Sequence, residues 1–139
     1  MYLLDTNVIS ELRKAGTNRI DPNVARWAKS VSASTLYLSA VSILELEIGI
    51  LLLERRDGSQ GAVLRAWMDG RVLATFQGRI LAIDTPIALK CAGLHVPTPR
   101  SDRDALIAAT AMVHGMKVVT RNVLHFEPTG VGVVDPWKT

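Results

Sequence analysis

Three acidic residues and one asparagine stand out because each is tied to a short apolar run that predicts a β-strand. Asp5 and Asn122 come shortly after such runs, Glu45 lies in the helix that another run leads into, and Asp104 opens an alanine-rich helix. In an open parallel sheet, ligands bind outside the carboxyl ends of the strands. The pattern therefore predicts that these four side chains meet in one crevice.

A cluster of carboxylates suggests a bound cation, because like charges held close together repel unless a positive charge neutralises them. Carboxylate and amide oxygens without a thiol or histidine favour a hard cation such as Mg²⁺ or Mn²⁺. Such an ion polarises a phosphoryl oxygen and lowers the pKa of a bound water. Hydrolysis of a phosphodiester fits this donor set, with one or two ions both possible.

Each of the four residues also has a purely structural interpretation. Asp5 could cap the helix that follows it, and Asn122 could serve a turn after a strand. Glu45 and Asp104 each follow a serine by three residues, which is the spacing of a capping box. Taken singly these roles are at least as plausible as catalysis. The convergence of three acids and an amide at one end of separate strands favours a shared site.

The charge balance is compatible with a polyanionic partner, although charge alone favours a solvated, mildly basic surface. The chain of 139 residues carries a formal net charge of +3, and gathering three acids in one cleft leaves the remaining surface more basic than that total. A basic rim around an acidic pocket suits a nucleic acid, although a solvated, mildly basic surface would look the same. The basic residues that could form such a rim are Arg13, Lys14, Arg19, Arg26, Lys29, Arg100, Arg103, Lys117 and Arg121.

Strand and helix patterns alternate along the chain, which predicts an α/β fold with an open parallel β-sheet and helices on both faces. We expect a single domain over residues 1–139. The Asp57-Gly58-Ser59 segment is expected to break two long helices into a hairpin. The predicted strands are 2–5, 36–39, 80–83, 117–120 and 131–134, and the predicted helices are 6–14, 22–30, 41–56, 60–76, 85–94 and 102–114.

The composition points to a cytoplasmic protein with an unusually apolar surface. No apolar run approaches the ~18 residues needed to span a bilayer, and charged residues near the N-terminus argue against a signal peptide. The lone Cys91 excludes an internal disulfide and a multi-cysteine zinc site. Apolar residues make up 48% of the chain. With the apolar hairpin of Ile43–Leu53 and Val63–Trp67, this predicts a homodimer.

Four segments that together span nearly the whole chain carry recognisable motifs: Met1–Glu11, Leu38–Leu46, Arg103–Ala111, and Thr120–Val123 with Phe126, Gly130-Val131 and the closing Asp135-Pro136-Trp137. These segments resemble the motifs of PIN-domain ribonucleases of the VapC toxin group. The resemblance implies a PIN-like fold and Mg²⁺- or Mn²⁺-dependent cleavage of RNA, with Asp5, Glu45 and Asp104 at the acidic metal positions. It also implies inhibition by a small cognate antitoxin protein.

Two positions depart from that family pattern. The fourth position, acidic in some members, is Asn122 here, and His125 stands where many members carry an acid. Because the three histidines share no regular spacing, surface or packing roles are favoured for each of them. Thr6 and Thr120 are candidates to hydrogen-bond the carboxylates, and Asp84 is expected to cap a helix. Tryptophans that could stack on RNA bases, but are better explained by burial or partner contact, are Trp27, Trp67 and Trp137.

Two other functional classes compete with a ribonuclease. A phospho-acceptor signalling domain would need paired acids after the first strand and a lysine after the last, whereas Asp5 stands alone and Lys117 begins a strand. A non-catalytic RNA- or protein-binding module on the same fold is the stronger alternative, although the intact acidic set argues against it.

Overall fold

The computed structural model describes all 139 residues and contains one five-stranded sheet in which every neighbouring pair of strands is parallel. The strand order is β3-β2-β1-β4-β5, so the first strand lies at the centre. This confirms the predicted open parallel sheet. The strands are β1 (Tyr2–Leu4), β2 (Leu36–Ser39), β3 (Ile80–Leu81), β4 (Lys117–Val119) and β5 (Val133–Val134).

Helices follow the strands, and several begin or end at the predicted residues. The Asp84 carboxylate accepts the Ile87 N–H at 3.1 Å, which confirms its capping role, and Gly115 ends a helix with φ of 67°. No helix has the combination of length and apolar character that crossing a bilayer requires. The helices are α1 (Thr6–Leu12), α2 (Pro22–Ser30), α3 (Ala40–Arg56), α4 (Gly58–Trp67), α5 (Leu73–Thr75), α6 (Thr85–Leu94), α7 (Asp102–His114) and α8 (Val123–Phe126).

The core lies on both faces of the sheet, as expected for helices packed on each side. Successive residues of a strand point to opposite faces. Leu4 and Val119 accordingly join one buried cluster with residues of α1, α2 and α3, whereas Leu3 and Val118 join a second cluster with residues of α7 and α8. All four of these strand side chains are fully buried. The buried strands therefore hold the carboxyl edge of the sheet in a fixed position.

One predicted helix, 60–76, is not continuous. It begins two residues earlier, and a π-helical turn at Met68–Val72 separates α4 from α5. Met68, Val72 and Phe76 are spaced by four residues and are all buried. In a regular α-helix, a side chain four residues further along points roughly 40° away from the previous one around the helix axis. The wider π-helical turn offsets this rotation, so the three side chains stay on the core side.

Several other boundaries differ from the sequence prediction, each by one or two residues. α1 ends at Leu12 rather than 14, and β3 and β5 are each only two residues long. The short helix α8 was not predicted, because four residues carry too little periodicity to indicate a helix. This helix matters because it follows Asn122 and contains His125.

The predicted hairpin of α3 and α4 is confirmed, with Asp57 alone as the break. Its carboxylate accepts the Gln60 N–H at 3.2 Å and so caps α4. The two helices approach closely at Gly61, where an added Cβ would lie 2.6 Å from the Glu54 Cα. Since this neighbour is backbone, the contact cannot be relieved by a side-chain rotation.

Gly61→Ala is therefore expected to destabilise the fold by about 1–3 kcal/mol, the usual range for overpacking. Gly58→Ala is the matched control, because a Cβ there would meet nothing within 4 Å. Urea denaturation of both variants tests the close approach. Equal stability of Gly61→Ala and Gly58→Ala would show that the helices can separate without cost.

Candidate active site

Asp5 lies directly after the central strand, at the carboxyl edge of the sheet. Its backbone N–H donates to the Val119 carbonyl at 2.9 Å, which extends the pairing of β1 with β4 by one residue. Its side chain is buried, with only 5% of the residue exposed. The sheet therefore fixes this buried carboxylate at the carboxyl edge of the central strand.

Hydrogen bonds hold both oxygens of the Asp5 carboxylate. The Thr6 backbone N–H donates to Oδ1 at 2.8 Å, which is the predicted helix cap of α1, and the Thr120 hydroxyl donates to Oδ2 at 2.8 Å. The Asn7 amide lies farther from Oδ2, at 3.4 Å. The capping and functional interpretations of Asp5 are therefore compatible, and the proposed role of Thr120 is confirmed.

Glu45 reaches the same site from α3. The Thr6 hydroxyl donates to Glu45 Oε1 at 2.8 Å, while Arg103 Nη1 lies 3.8 Å from Oε2. Thr6 thus joins two acids, since its N–H binds Asp5 and its hydroxyl binds Glu45. The capping-box alternative is wrong here because Ser39 caps α3 and Ser42 lies within the helix, buried without a hydrogen-bond partner.

Asp104 lies in the first turn of α7 and faces α8. Its Oδ2 is 3.1 Å from His125 Nδ1. Ser101, at the N-cap of α7, makes no capping bond through its side chain, so a capping box does not account for Asp104 either. His125 is exposed at the surface, as expected from the sequence, and its contact with Asp104 was not predicted. No periodic signal in the sequence marks this contact.

The other two histidines do not contact Asp5, Glu45 or Asp104. His95 Nδ1 accepts the Arg100 backbone N–H at 3.2 Å, a structural role that agrees with the sequence prediction. His114 occupies the last turn of α7, at the opposite end of that helix from Asp104.

The electrostatics couple the three carboxylates. Burial raises the pKa of Asp5 above its ordinary value, and the negative charges of Asp104 and Glu45 raise it further. The hydrogen bonds from Thr120 and Thr6 oppose this shift by stabilising the charged form. Asp5 is therefore a buried carboxylate with two acidic neighbours, and a nearby cation would relieve its unfavourable charge.

The donor set fits a hard cation, although the side chains are not closed around one. Every donor among the three acids is a carboxylate oxygen, the ligand type that Mg²⁺ and Mn²⁺ prefer. No group of three or more Asp, Glu, His or Cys side chains is drawn together tightly enough to coordinate an ion. Thr6 holds Glu45, and His125 lies against Asp104. Glu45 and Asp104 would have to move toward Asp5 for all three acids to bind one ion.

Asn122 is adjacent to the acids rather than among them. Its backbone N–H donates to the Thr120 hydroxyl at 2.9 Å, and its exposed side chain makes no capping bond to α8. The structure therefore brings together Asp5, Glu45 and Asp104 but does not join the Asn122 amide to them. The residue occupies a turn, and with His125 it lines a cavity beside the acids.

An open groove of about 550 Å³ runs from Thr6 and Glu45 over α1, α3 and α4. Three of the predicted rim residues line it, Arg13, Lys14 and Arg121. Two other predicted rim residues are placed differently. Lys117 begins β4, at the amino end of the strands and away from the acids, and the Arg100 side chain donates to the Leu94 carbonyl. The basic rim thus exists, but fewer residues form it than the sequence suggested.

Comparisons with known proteins agree with this architecture. Residues 2–125 match the PIN domain family. The VapC ribonuclease Y4jK of Sinorhizobium fredii is 36% identical over 143 residues, and toxin FitB of Neisseria gonorrhoeae is 36% identical over 142; each match covers 99% of both chains. The crystal structure of FitAcB from Neisseria gonorrhoeae superposes with a TM-score of 0.87 at 35% identity, over the full length of both chains.

The chain belongs to the PIN-domain family. Within that family it belongs with the group that includes VapC ribonuclease Y4jK and toxin FitB, since both are more than one-third identical over almost the whole length. The fold and family expected from the sequence motifs are confirmed.

The raised pKa of Asp5 predicts that its ionisation lowers the free energy of unfolding. The pKa of Asp5 is higher in the folded protein than in the unfolded chain, so stability falls as the pH rises from the unfolded-state pKa through the folded-state pKa. Asp5→Asn removes the buried charge and keeps an acceptor for the Thr6 N–H. With a chelator present at neutral pH, the variant is expected to melt at the same temperature as wild type or higher.

Thermal unfolding followed between pH 3 and pH 8 provides the test. Any advantage of Asp5→Asn should shrink toward the acidic end, where wild-type Asp5 is protonated. A variant that is less stable at neutral pH, with a deficit that grows as the pH rises, would contradict the predicted direction.

Proposed function

We propose that this protein is the toxin of a type II toxin–antitoxin pair and that it acts in the cytoplasm as a divalent-metal-dependent endoribonuclease. The observation that carries the proposal is the buried Asp5 carboxylate, coupled to Glu45 and Asp104 at the edge of the sheet. The relatives support the reaction class, because one is a VapC ribonuclease and another is a toxin.

Asp5, Glu45 and Asp104 would hold Mg²⁺ or Mn²⁺ in this proposal. The bound cation would supply an activated water and charge stabilisation for the phosphoryl group. Thr6 and Thr120 keep the Asp5 and Glu45 oxygens oriented, which reduces the reorganisation needed on binding. Both threonines already donate hydrogen bonds to the acids.

The basic side chains of the groove would bind the RNA backbone. Arg13, Lys14 and Arg121 lie along the same groove as Glu45, so phosphates on either side of the cleaved bond can be neutralised. Asn122 and His125 lie at the mouth of the site, where they can contact the RNA strand or a water molecule. We assign Asn122 a supporting role in catalysis on this basis.

The strongest alternative remains a non-catalytic RNA- or protein-binding module. Binding without catalysis would not require a carboxylate whose charge is disfavoured by burial and by two neighbouring acids. RNA binding without cleavage, at any concentration of Mg²⁺ or Mn²⁺, would favour that alternative over the nuclease.

Substitution of the acids should separate catalysis from folding. Purified protein is expected to cut single-stranded RNA with Mg²⁺ or Mn²⁺ and to stop when a chelator is added. Asp5→Asn, Asp104→Asn and Glu45→Gln should each lower the cleavage rate by more than about a hundredfold, an energy of ~3 kcal/mol at the transition state. Asn122→Ala should lower turnover less than Asp5→Asn does.

Asp84→Asn is the matched control for these substitutions. It removes the same charge from a residue that caps α6, and asparagine is an equally good cap. Its cleavage rate should equal that of wild type. Undiminished cleavage by Asp5→Asn, in protein that circular dichroism shows to be folded, would remove Asp5 from the active site.

An antitoxin is the proposed protein partner. The groove beside Glu45 combines apolar side chains, including Leu46, Ile50 and Trp67, with basic ones, so an extended or helical segment of a small protein could cover the acids. An arginine of that segment could enter the acidic pocket in competition with the metal. Covering the pocket would inhibit the enzyme.

Expression of the chain alone should arrest bacterial growth, and co-expression with the adjacent small gene should relieve the arrest. The Asp5→Asn variant should be harmless in the same strain, since it lacks the cleavage activity. Folded wild-type protein that accumulates to a high level without slowing growth would contradict the toxin assignment.

We also propose a homodimer through the α3–α4 hairpin. Four large apolar side chains are at least half exposed on this hairpin in the single chain: Leu44, Leu51, Leu52 and Val63. Leu52→Glu should shift the protein from dimer to monomer in sedimentation-velocity runs. Leu89→Glu is the control, because Leu89 is also exposed but lies on α6. A wild-type monomer at micromolar concentration would exclude the dimer.

A further inference from the structure

An arginine and a tryptophan from distant parts of the chain stack beside the acidic cluster. The Arg121 Cζ lies 5.2 Å from the centroid of the Trp137 ring. Both residues line the groove that contains Glu45 and also the neighbouring cavity of about 1000 Å³ that contains Asn122 and His125. The stack therefore forms the wall between the two concave surfaces next to the acids.

The Trp137 side of this stack is held in place by the fold. The backbone N–H of Trp137 donates to Asp135 Oδ1 at 3.0 Å, and its backbone carbonyl accepts from the Asn23 side-chain amide at 2.7 Å. The ring is partly buried against the core cluster that contains Leu4. Trp137 is therefore neither a core residue nor a freely mobile surface residue, and its ring has a fixed orientation.

Arg121 connects the stack to the catalytic carboxylate. It follows Thr120, which donates to Asp5, and its own backbone N–H points toward Asn7 Oδ1 at 3.4 Å. Arg121 and Trp137 also line the same groove as Glu45, so a ligand bound at the stack lies in the groove that contains this acid.

The guanidinium remains available for a ligand. Arg121 is exposed, and its guanidinium makes neither a hydrogen bond nor an ion pair within the chain. Three acids line the cavity. Asp21 and Asp135 accept backbone N–H groups as helix caps, and only Glu127 makes no such hydrogen bond. A guanidinium that lies over an aromatic ring with its donors unused can stack on a nucleobase and bind a phosphate.

We infer that Arg121 and Trp137 form a nucleotide-binding subsite that holds one base of single-stranded RNA beside the cleaved phosphodiester. The inference rests on the proposed ribonuclease function and specifies how that site grips its substrate. The base stacks on the outer face of the guanidinium, which Trp137 supports from behind, and the remaining N–H donors contact a phosphate.

Binding of a labelled, single-stranded oligoribonucleotide, measured with a chelator present, tests the subsite without cleavage. Trp137→Leu removes the ring that supports the guanidinium and should weaken binding about five- to hundredfold, the usual cost of losing one stacked base, whereas Trp137→Phe should retain most of the affinity. Arg121→Gln should weaken binding and lower the slope of log affinity against log salt by about 0.7, as expected for one lost phosphate contact. The slope should not change in Trp137→Leu.

Arg55→Gln is the matched control for charge, because Arg55 is equally exposed and lies at the far end of α3 from Glu45. It should bind RNA as wild type does. A series of oligonucleotides, each with a single abasic residue at a different position, locates the bound base. At one position the missing base should weaken binding by wild type, whereas the same oligonucleotide should bind Trp137→Leu no more weakly than the intact one does.

The possible outcomes separate this inference from the proposed function. If wild type cleaves RNA but Arg121→Gln and Trp137→Leu both bind it unchanged, the subsite is wrong and the nuclease stands. If those variants keep their RNA affinity but bind the antitoxin more weakly, the stack belongs to the protein interface and the inference also fails. If wild type neither binds nor cleaves RNA, the proposed function itself fails. Should Trp137→Leu unfold, Arg121→Gln and its salt slope decide.

Discussion

The burial of the Asp5 carboxylate is the constraint on which the rest of the site depends. A charged group at 5% exposure is unfavourable by itself, and Asp104 and Glu45 make it more so. Thr6 and Thr120 compensate in part by donating hydrogen bonds to its oxygens. The remaining imbalance of charge is what a divalent cation would correct, so one buried group links the fold to the chemistry.

The parallel sheet explains how residues so far apart in sequence meet. β1 is central, and its neighbours β2 and β4 run in the same direction, so the segments that follow all three strands emerge at one edge. Asp5 follows β1, Glu45 lies on the helix after β2, and Thr120 follows β4. α7 brings Asp104 to the same edge by its first turn. The site is thus assembled from helix starts and strand ends, whose positions the buried strands fix.

Much of this arrangement could be predicted from the sequence because the strands are short apolar runs followed directly by acids. The motifs predicted that Asp5, Glu45, Asp104 and Asn122 come together, and the structure couples the three acids but leaves the Asn122 amide apart from them. Contacts that depend on three-dimensional packing could not be predicted: the π-helical turn, the approach of His125 to Asp104, and the stack of Arg121 on Trp137. Each joins residues through geometry that leaves no periodic signal in the chain.

The proposed divalent cation at the Asp5, Glu45 and Asp104 carboxylates can be located in crystals grown with saturating Mn²⁺, from diffraction data collected near the manganese absorption edge. We expect an anomalous density peak bounded by Asp5 and Asp104, with Glu45 bound directly or through a water. No peak at this cluster, or a fully occupied ion only elsewhere on the protein, would show that these carboxylates do not form the metal site.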